Sequence, residues 1–221
     1  MAISETAGRA RFGPPLARGA PLIFLCLCGL AYAWIAIPLT LIPRLGSLSY
    51  HGGPVGNDFL AFYSAAVLAW DHSAAEVYDL ARLYAFQDAL SGTATHLPFP
   101  YPPQFLLYLA PLTTIAYLPA LYLWIVATSA PFVLIVRRLS GLALPLVALA
   151  PPLIQNAIDG QNGALTASLF AGGLLLLANR RPALAGILFG LLSYKPQVFL
   201  LIPLCLLAAR QYRALGALIV T

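Results

Sequence analysis

Apolar residues dominate the chain, and the points where they give way to polar ones divide it into segments. Residues 21–43 (PLIFLCLCGLAYAWIAIPLTLIP) carry no charge and can cross a hydrocarbon core of about 30 Å. A cleaved signal peptide has a shorter apolar region and a small-residue cleavage site, so this segment reads as a retained anchor. Residues 1–20, with Gly, Pro, Ser and Arg among few large apolar side chains, read as a disordered cytoplasmic arm. After a His51-Gly52-Gly53-Pro54 turn, Phe59, Phe62, Tyr63, Ala66, Val67 and Trp70 recur at the i, i+3, i+4, i+7 spacing of one helical face. That pattern predicts a helix lying along the membrane surface with Asp58 in its first turn.

A second helix is predicted from Ser73, because Ser73-Ala74-Ala75-Glu76 has the form of a capping box. Asp79 and Arg82 form an i, i+3 pair on it, and Ser91-Gly92 supplies its stop. Prolines 102, 103, 111 and 119 cut the next stretch into pieces too short to span. Tyr101–Tyr117 therefore reads as a segment dipping in from the outer side, and Leu118–Val136 as the second crossing. Leu139–Asn179 has room for two crossings of about 20 residues, with Asp159-Gly160-Gln161-Asn162 as their outer turn. Pro182–Ala209 has room for two of only about 14 residues, or about 21 Å each. The turn between them, Tyr194-Lys195-Pro196-Gln197, should be recessed in a protein-lined cavity, since backbone exposed to lipid would go unpaired. A further crossing begins at Ala214 and stops at Thr221, so the sequence reads as C-terminally truncated. The expected fold is all-α: a polytopic transmembrane helical bundle over residues 21–221, with six crossings, the start of a seventh, and outer juxtamembrane helices within 44–117.

Composition supports the membrane assignment: of 221 residues, 61% are hydrophobic and 9% charged, against about 25% charged in soluble domains. The net charge of +5 suggests a nucleic-acid partner only until the charges are placed along the chain. Basic residues cluster at Arg9/Arg11/Arg18, Arg137/Arg138, Arg180/Arg181 and Arg210/Arg213, while Asp58, Asp71, Glu76, Asp79, Asp88 and Asp159 fall between the clusters. This is the positive-inside pattern of a multi-pass inner (plasma) membrane protein, with the acidic stretches on the periplasmic or extracellular face. It argues against nucleic acid. Cys26, Cys28 and Cys205 lie in apolar segments without metal-ligand or CxxC spacing and read as small lipid-buried residues.

On this topology four polar elements converge on the outer face: Asp58, His96 with Tyr101, the Asp159–Asn162 turn, and Lys195. Each has a structural alternative. Asp58 at a helix start can act as a cap, where its pKa is expected to fall. His96 can be an ordinary loop residue, Tyr101 an interfacial belt residue, and Gln161 and Asn162 the closure of a helical hairpin. Lys195 can snorkel, although an intramembrane lysine costs about 2.5–3.5 kcal/mol on insertion scales and usually has a partner or a function. There is no phosphate-binding glycine loop and no metal-ligand spacing, and nothing in the sequence calls for a cofactor.

GNDFLAFYSAA (56–66), YPPQFLLYLAPL (101–112), DGQN (159–162) and RPALAGILFGLLSYKPQ (181–197), in that order, resemble family 87 of the glycosyltransferases over about residues 20–221. These are GT-C-type membrane enzymes that use polyprenyl-phosphate sugars and include bacterial α-(1,2)-mannosyltransferases. The resemblance implies a catalytic carboxylate in the first outer loop, which falls on Asp58, and substrate-binding roles for Lys195 and Gln161. It further implies a polyprenyl-phosphate-hexose donor, with mannose the expected hexose, and a lipid or glycan hydroxyl as acceptor. On that reading Asp58 acts as general base, Lys195 neutralises the donor phosphate, and Gln161, Asn162 and Tyr101 orient oxygens. A transporter or flippase for a lipid-linked or anionic substrate is the alternative, because broken helices and intramembrane charge mark such sites too. An inactive membrane fragment is the third reading.

Overall fold

The computed structural model describes residues 20–44, 46, 48–50 and 52–221. The expected arm therefore lies outside the described residues except for Ala20, as does His51. All regular structure among the described residues is helical, apart from an isolated bridge between Leu48 and Pro54. Helices α1 (Ala20–Thr40) and α5 (Tyr117–Ser140) contain the two segments long and apolar enough to cross a membrane, Pro21–Thr40 and Tyr117–Ser140. Most of α1 faces outward with its apolar side chains, Trp34 being 80% exposed. Such a surface suits lipid rather than water.

Between these helices the chain forms α2 (Asn57–Asp71), a 3-10 turn (Glu76–Tyr78), α3 (Leu80–Ser91), α4 (Phe105–Leu109) and a second 3-10 turn (Ala110–Leu112). Helix α2 does not rest on the membrane by one face. Phe59, Leu60, Ala61, Phe62, Tyr63, Ser64, Ala65, Ala66 and Leu68 are all buried, so protein surrounds it on nearly every side. Phe62 meets Tyr101, Phe105 and Trp124 edge-on, and Phe59 packs on Tyr63, Tyr117 and Trp124. Of the predicted face only Trp70, 69% exposed, points away. Packing from α3, α4 and the chain before α5 replaces the expected lipid contact. The start of α2 is pinned to α5 by the Tyr117 hydroxyl, which donates to the Val55 carbonyl at 2.6 Å.

The start of α3 also differs from its expected place. Ser73 caps nothing; Asp79 is the N-cap, its Oδ1 accepting from Ala81 N at 3.1 Å and Arg82 N at 3.4 Å. The 3-10 turn occupies the residues the capping box would have used, and Glu76 pairs instead with Arg82 at 2.7 Å. The Asp79–Arg82 pair forms as its spacing predicts, at 3.7 Å, and the helix ends at Ser91.

The second half comprises α6 (Leu144–Ala148), α7 (Pro151–Ile158), α8 (Gly163–Ala178), α9 (Pro182–Gly190) running into a 3-10 turn (Leu191–Tyr194), α10 (Pro196–Phe199), α11 (Leu201–Ala208) and α12 (Tyr212–Val220). Of the six expected crossings, two have full length among the described residues; Gly163–Ala178, Pro182–Tyr194 and Pro196–Ala208 are shorter apolar helices. Proline sets the break between α6 and α7, because Pro151 and Pro152 lack the N–H groups that would continue the preceding helix. The expected turns at 159–162 and at Lys195 form where the sequence places them. Helices α8 and α11 close alike: Arg181 N reaches Leu176 O and Gln211 N reaches Leu206 O, each at 2.8 Å, across a left-handed arginine, Arg180 (φ 57°) or Arg210 (φ 55°). Both cations thus lie at helix C-termini, where the backbone dipole favours them.

Candidate active site

The site forms where the start of α2 meets the turn between α7 and α8. Asp58 N and Phe59 N donate to the Asp159 carbonyl at 2.9 and 3.2 Å, so a distant backbone oxygen satisfies the open end of α2. No side chain caps this helix. The Asp58 carboxylate is therefore not used as a cap, and its Oδ2 accepts instead from Gln161 Nε2. Residues 159 and 161 thus hold the backbone and the side chain of position 58 from a single turn.

Interactions from three helices shape that turn. Asn156 on α7 donates through Nδ2 to the Gln161 carbonyl at 3.1 Å and accepts from Ala164 N on Oδ1 at 3.1 Å, so it satisfies a free N–H in the first turn of α8. Trp124 on α5 donates its Nε1 hydrogen to the Gly160 carbonyl at 2.9 Å. Gln155 donates to the Asp159 carboxylate at 2.6 Å and accepts from the Tyr32 hydroxyl of α1. Trp124, Gln155 and Asn156 were not singled out from the sequence. The available signal was the Gln155-Asn156 pair in an apolar stretch, since polar groups in such segments usually face the protein interior.

Asp58 and Gln161 open onto a cavity of ≈ 230 Å³ whose other walls are Ala61, Phe62, Leu97, Pro98, Pro100 and Tyr101. This is smaller than the roughly 300–1,000 Å³ of pockets for drug-sized ligands and has room for one small ring. Burial raises the Asp58 pKa above the ordinary 3.8; the Gln161 hydrogen bond opposes the rise and the Asp159 charge adds to it. The direction is opposite to that expected for a helix-start carboxylate, because desolvation outweighs the helix end and Asp159 O occupies its N–H groups. Tyr101 is likewise raised above 10.0 by burial, with the neighbouring Asn162 amide opposing and Asp58 adding. Asn162 is fully buried, and although its amide lies close enough to influence Tyr101, neither Oδ1 nor Nδ2 reaches a hydrogen bond of good geometry.

The structure thus brings together Asp58, Gln161 and Tyr101 around one cavity, with the Asn162 amide near Tyr101. His96 is not part of it. Its Nε2 lies 3.0 and 3.1 Å from the two Asp88 oxygens, and its ring stacks on Tyr84 with centroids 4.6 Å apart, so α3 holds its side chain. Lys195 follows the Leu191–Tyr194 turn and forms no ion pair or side-chain hydrogen bond among the described residues. Its turn is joined to the Tyr101 segment by Tyr194, which stacks on Phe105 at 4.7 Å and shares a 2.8 Å hydrogen bond with Thr166, and by the Tyr108 hydroxyl, which donates to Leu191 O at 2.6 Å.

Among the described residues all helices but two fall short of crossing length, and a half-buried carboxylate faces a small cavity, an arrangement compatible with a membrane enzyme. The profile of Glycosyltransferase family 87 matches residues 99–221, more than half the chain. The chain belongs to that family and is a membrane glycosyltransferase. Tyr101, Gln161, Asn162 and Lys195 fall within the matched residues, whereas Asp58 and His96 precede them. No curated protein and no solved structure matches it.

Proposed function

We propose that the chain transfers a hexose, with mannose the expected sugar, from a polyprenyl-phosphate donor to a lipid or glycan hydroxyl on the outer face of the membrane. The observation that carries this reading is the Asp58 carboxylate, which is relieved of capping, held by Gln161, raised in pKa and open to a cavity of one-ring size. A carboxylate moved toward the working pH is a better base than an ordinary aspartate. Asp58 takes the acceptor hydroxyl proton as the acceptor oxygen bonds to the anomeric carbon. The bond from that carbon to the phosphate oxygen breaks, and the polyprenyl phosphate leaves with the electron pair, inverting the anomeric centre. Gln161 holds the base in place, and Tyr101 with Asn162 orients sugar oxygens. Lys195, free of any carboxylate partner among the described residues, supplies positive charge to the departing phosphate.

The test is transfer of labelled sugar from polyprenyl phosphate in membranes, with donor binding measured separately. Asp58→Asn keeps shape and most hydrogen bonds but cannot take the proton, so turnover is expected to fall by about 10²–10⁴ while donor still binds. Lys195→Ala is expected to raise the donor KM along with any loss in kcat, because the phosphate carries charge in both ground and transition states. Normal transfer by Asp58→Asn removes Asp58 from the mechanism. Movement of the sugar lipid across the membrane without a new glycosidic product makes the protein a flippase instead.

A further inference from the structure

The segment from Ala94 to Pro100 has no regular structure, yet it supplies Leu97, Pro98 and Pro100 to the wall facing Asp58. Prolines at 98, 100, 102 and 103 remove N–H groups, so no backbone ladder can hold this wall. Buried Phe99 anchors it by packing on Tyr78, Tyr101 and Phe105, and at Leu97 one side chain supplies the backbone's hydrogen bonds. Leu97 N donates to Gln87 Oε1 at 2.9 Å, and Gln87 Nε2 donates to Leu97 O at 2.7 Å. Gln87, on α3, is fully buried, an unusual place for a glutamine unless its amide is satisfied. Both backbone groups of Leu97 are thereby tied, as they would be by a neighbouring strand. Two lesser ties flank the clamp: His96 on Asp88, and the Tyr78 hydroxyl donating to Tyr101 O at 2.8 Å.

We propose that Gln87 is a positioning residue for transfer, clamping the Leu97–Tyr101 wall at the spacing from Asp58 that the acceptor occupies. The proposal rests on the reading of Asp58 as the base for the acceptor hydroxyl. It acts through the wall and touches no substrate. A carboxamide of this length presents a donor and an acceptor side by side to one residue's N–H and C=O; apolar and shorter side chains cannot. Loosening the clamp enlarges the acceptor's range of positions without altering the base or the donor phosphate site. The acceptor KM should therefore change more than kcat.

Two variants of the full chain in lipid nanodiscs test this. Gln87→Ala is expected to raise the acceptor KM about tenfold, with the donor KM unchanged and kcat within about threefold. In Gln87→Glu the protonated carboxyl can still donate to Leu97 O and accept from Leu97 N–H, whereas the carboxylate sets a charge against Leu97 O. Burial raises the pKa of such a carboxyl, so the variant should recover toward wild type as pH falls from about 8 to 5. Recovery is read as the ratio of variant to wild-type kcat/KM at each pH, which cancels the protonation of Asp58. A ratio flat in pH, or an equal fall in kcat with both KM values unmoved, overturns the proposal. Hydrogen exchange at Leu97 is a readout independent of transfer: its amide is expected to exchange at least about tenfold faster in Gln87→Ala while the core of α3 keeps its protection. Unchanged exchange refutes the clamp. A wild type without transfer instead removes the role given to Asp58, and exchange at Leu97 still decides whether Gln87 holds the wall.

Discussion

Replacing Gly160 by alanine tests whether the turn between α7 and α8 is the support on which Asp58 depends. Gly160 has φ +64°, a conformation that costs an L residue about 1–2 kcal/mol. An added Cβ would also lie 2.5 Å from the Cβ of Phe59 and 3.0 Å from Cδ1 of Leu121. The Leu121 methyl can move, but the Phe59 Cβ is fixed to the buried backbone of α2, and overpacking of this kind adds about 1–3 kcal/mol. The sum is about 2–5 kcal/mol, or a fall in melting temperature of roughly 4–20 °C for a chain of this length. Gly56→Ala is the internal control. Its φ is +69°, but the three atoms nearest the added Cβ are the terminal methyls and Cγ of Leu121, at 2.6 to 3.2 Å, so the conformational cost should dominate. The assay is thermal unfolding of purified protein followed by tryptophan fluorescence, together with sugar transfer. Gly160→Ala should lose more stability than Gly56→Ala and should lose turnover as well, because the Asp159 and Gln161 contacts to Asp58 move with the turn. Equal melting temperatures for the two variants, or wild-type turnover in Gly160→Ala, would refute the argument.

Ionised Asp58 is penalised by burial, so the folded state binds its proton at a higher pH than the unfolded chain does, and its contribution to stability declines as pH rises through that window. Asp58→Asn removes the penalty and should melt no lower than wild type at neutral pH, with any advantage vanishing below the ordinary value of 3.8; the reverse trend in melting temperature against pH would show that burial does not govern this group. For the same reason the acid limb of wild-type turnover should lie above 3.8, since only the deprotonated carboxylate is a base. Trp124→Phe removes the donor to Gly160 O and should cost about 1–3 kcal/mol in thermal unfolding, with a loss of transfer smaller than that of Asp58→Asn.

Periodicity and charge placement along the chain determine the helical class, the two long helices, and the turns at Asp159–Asn162 and Lys195. These are local properties: an apolar run of crossing length, a proline, or a polar cluster midway between two basic ones has the same meaning wherever the chain later packs. Tertiary structure decides what lies beyond the reach of local spacing. The aromatic stripe of α2 has the same period whether lipid or protein covers it, and only the packing of α3, α4 and the chain before α5 buries it on nearly all sides. Gln161 reaches Asp58 from 103 positions away, and Asp159 O caps α2 from a similar distance, so neither the released carboxylate nor its raised pKa can be read from the helix start alone. His96 and Gln87 show the same limit: one resembles a site residue and is turned toward Asp88, while the other resembles a surface glutamine and is buried against Leu97. In each case the deciding partner lies on another element, and desolvation depends on how those elements close around it.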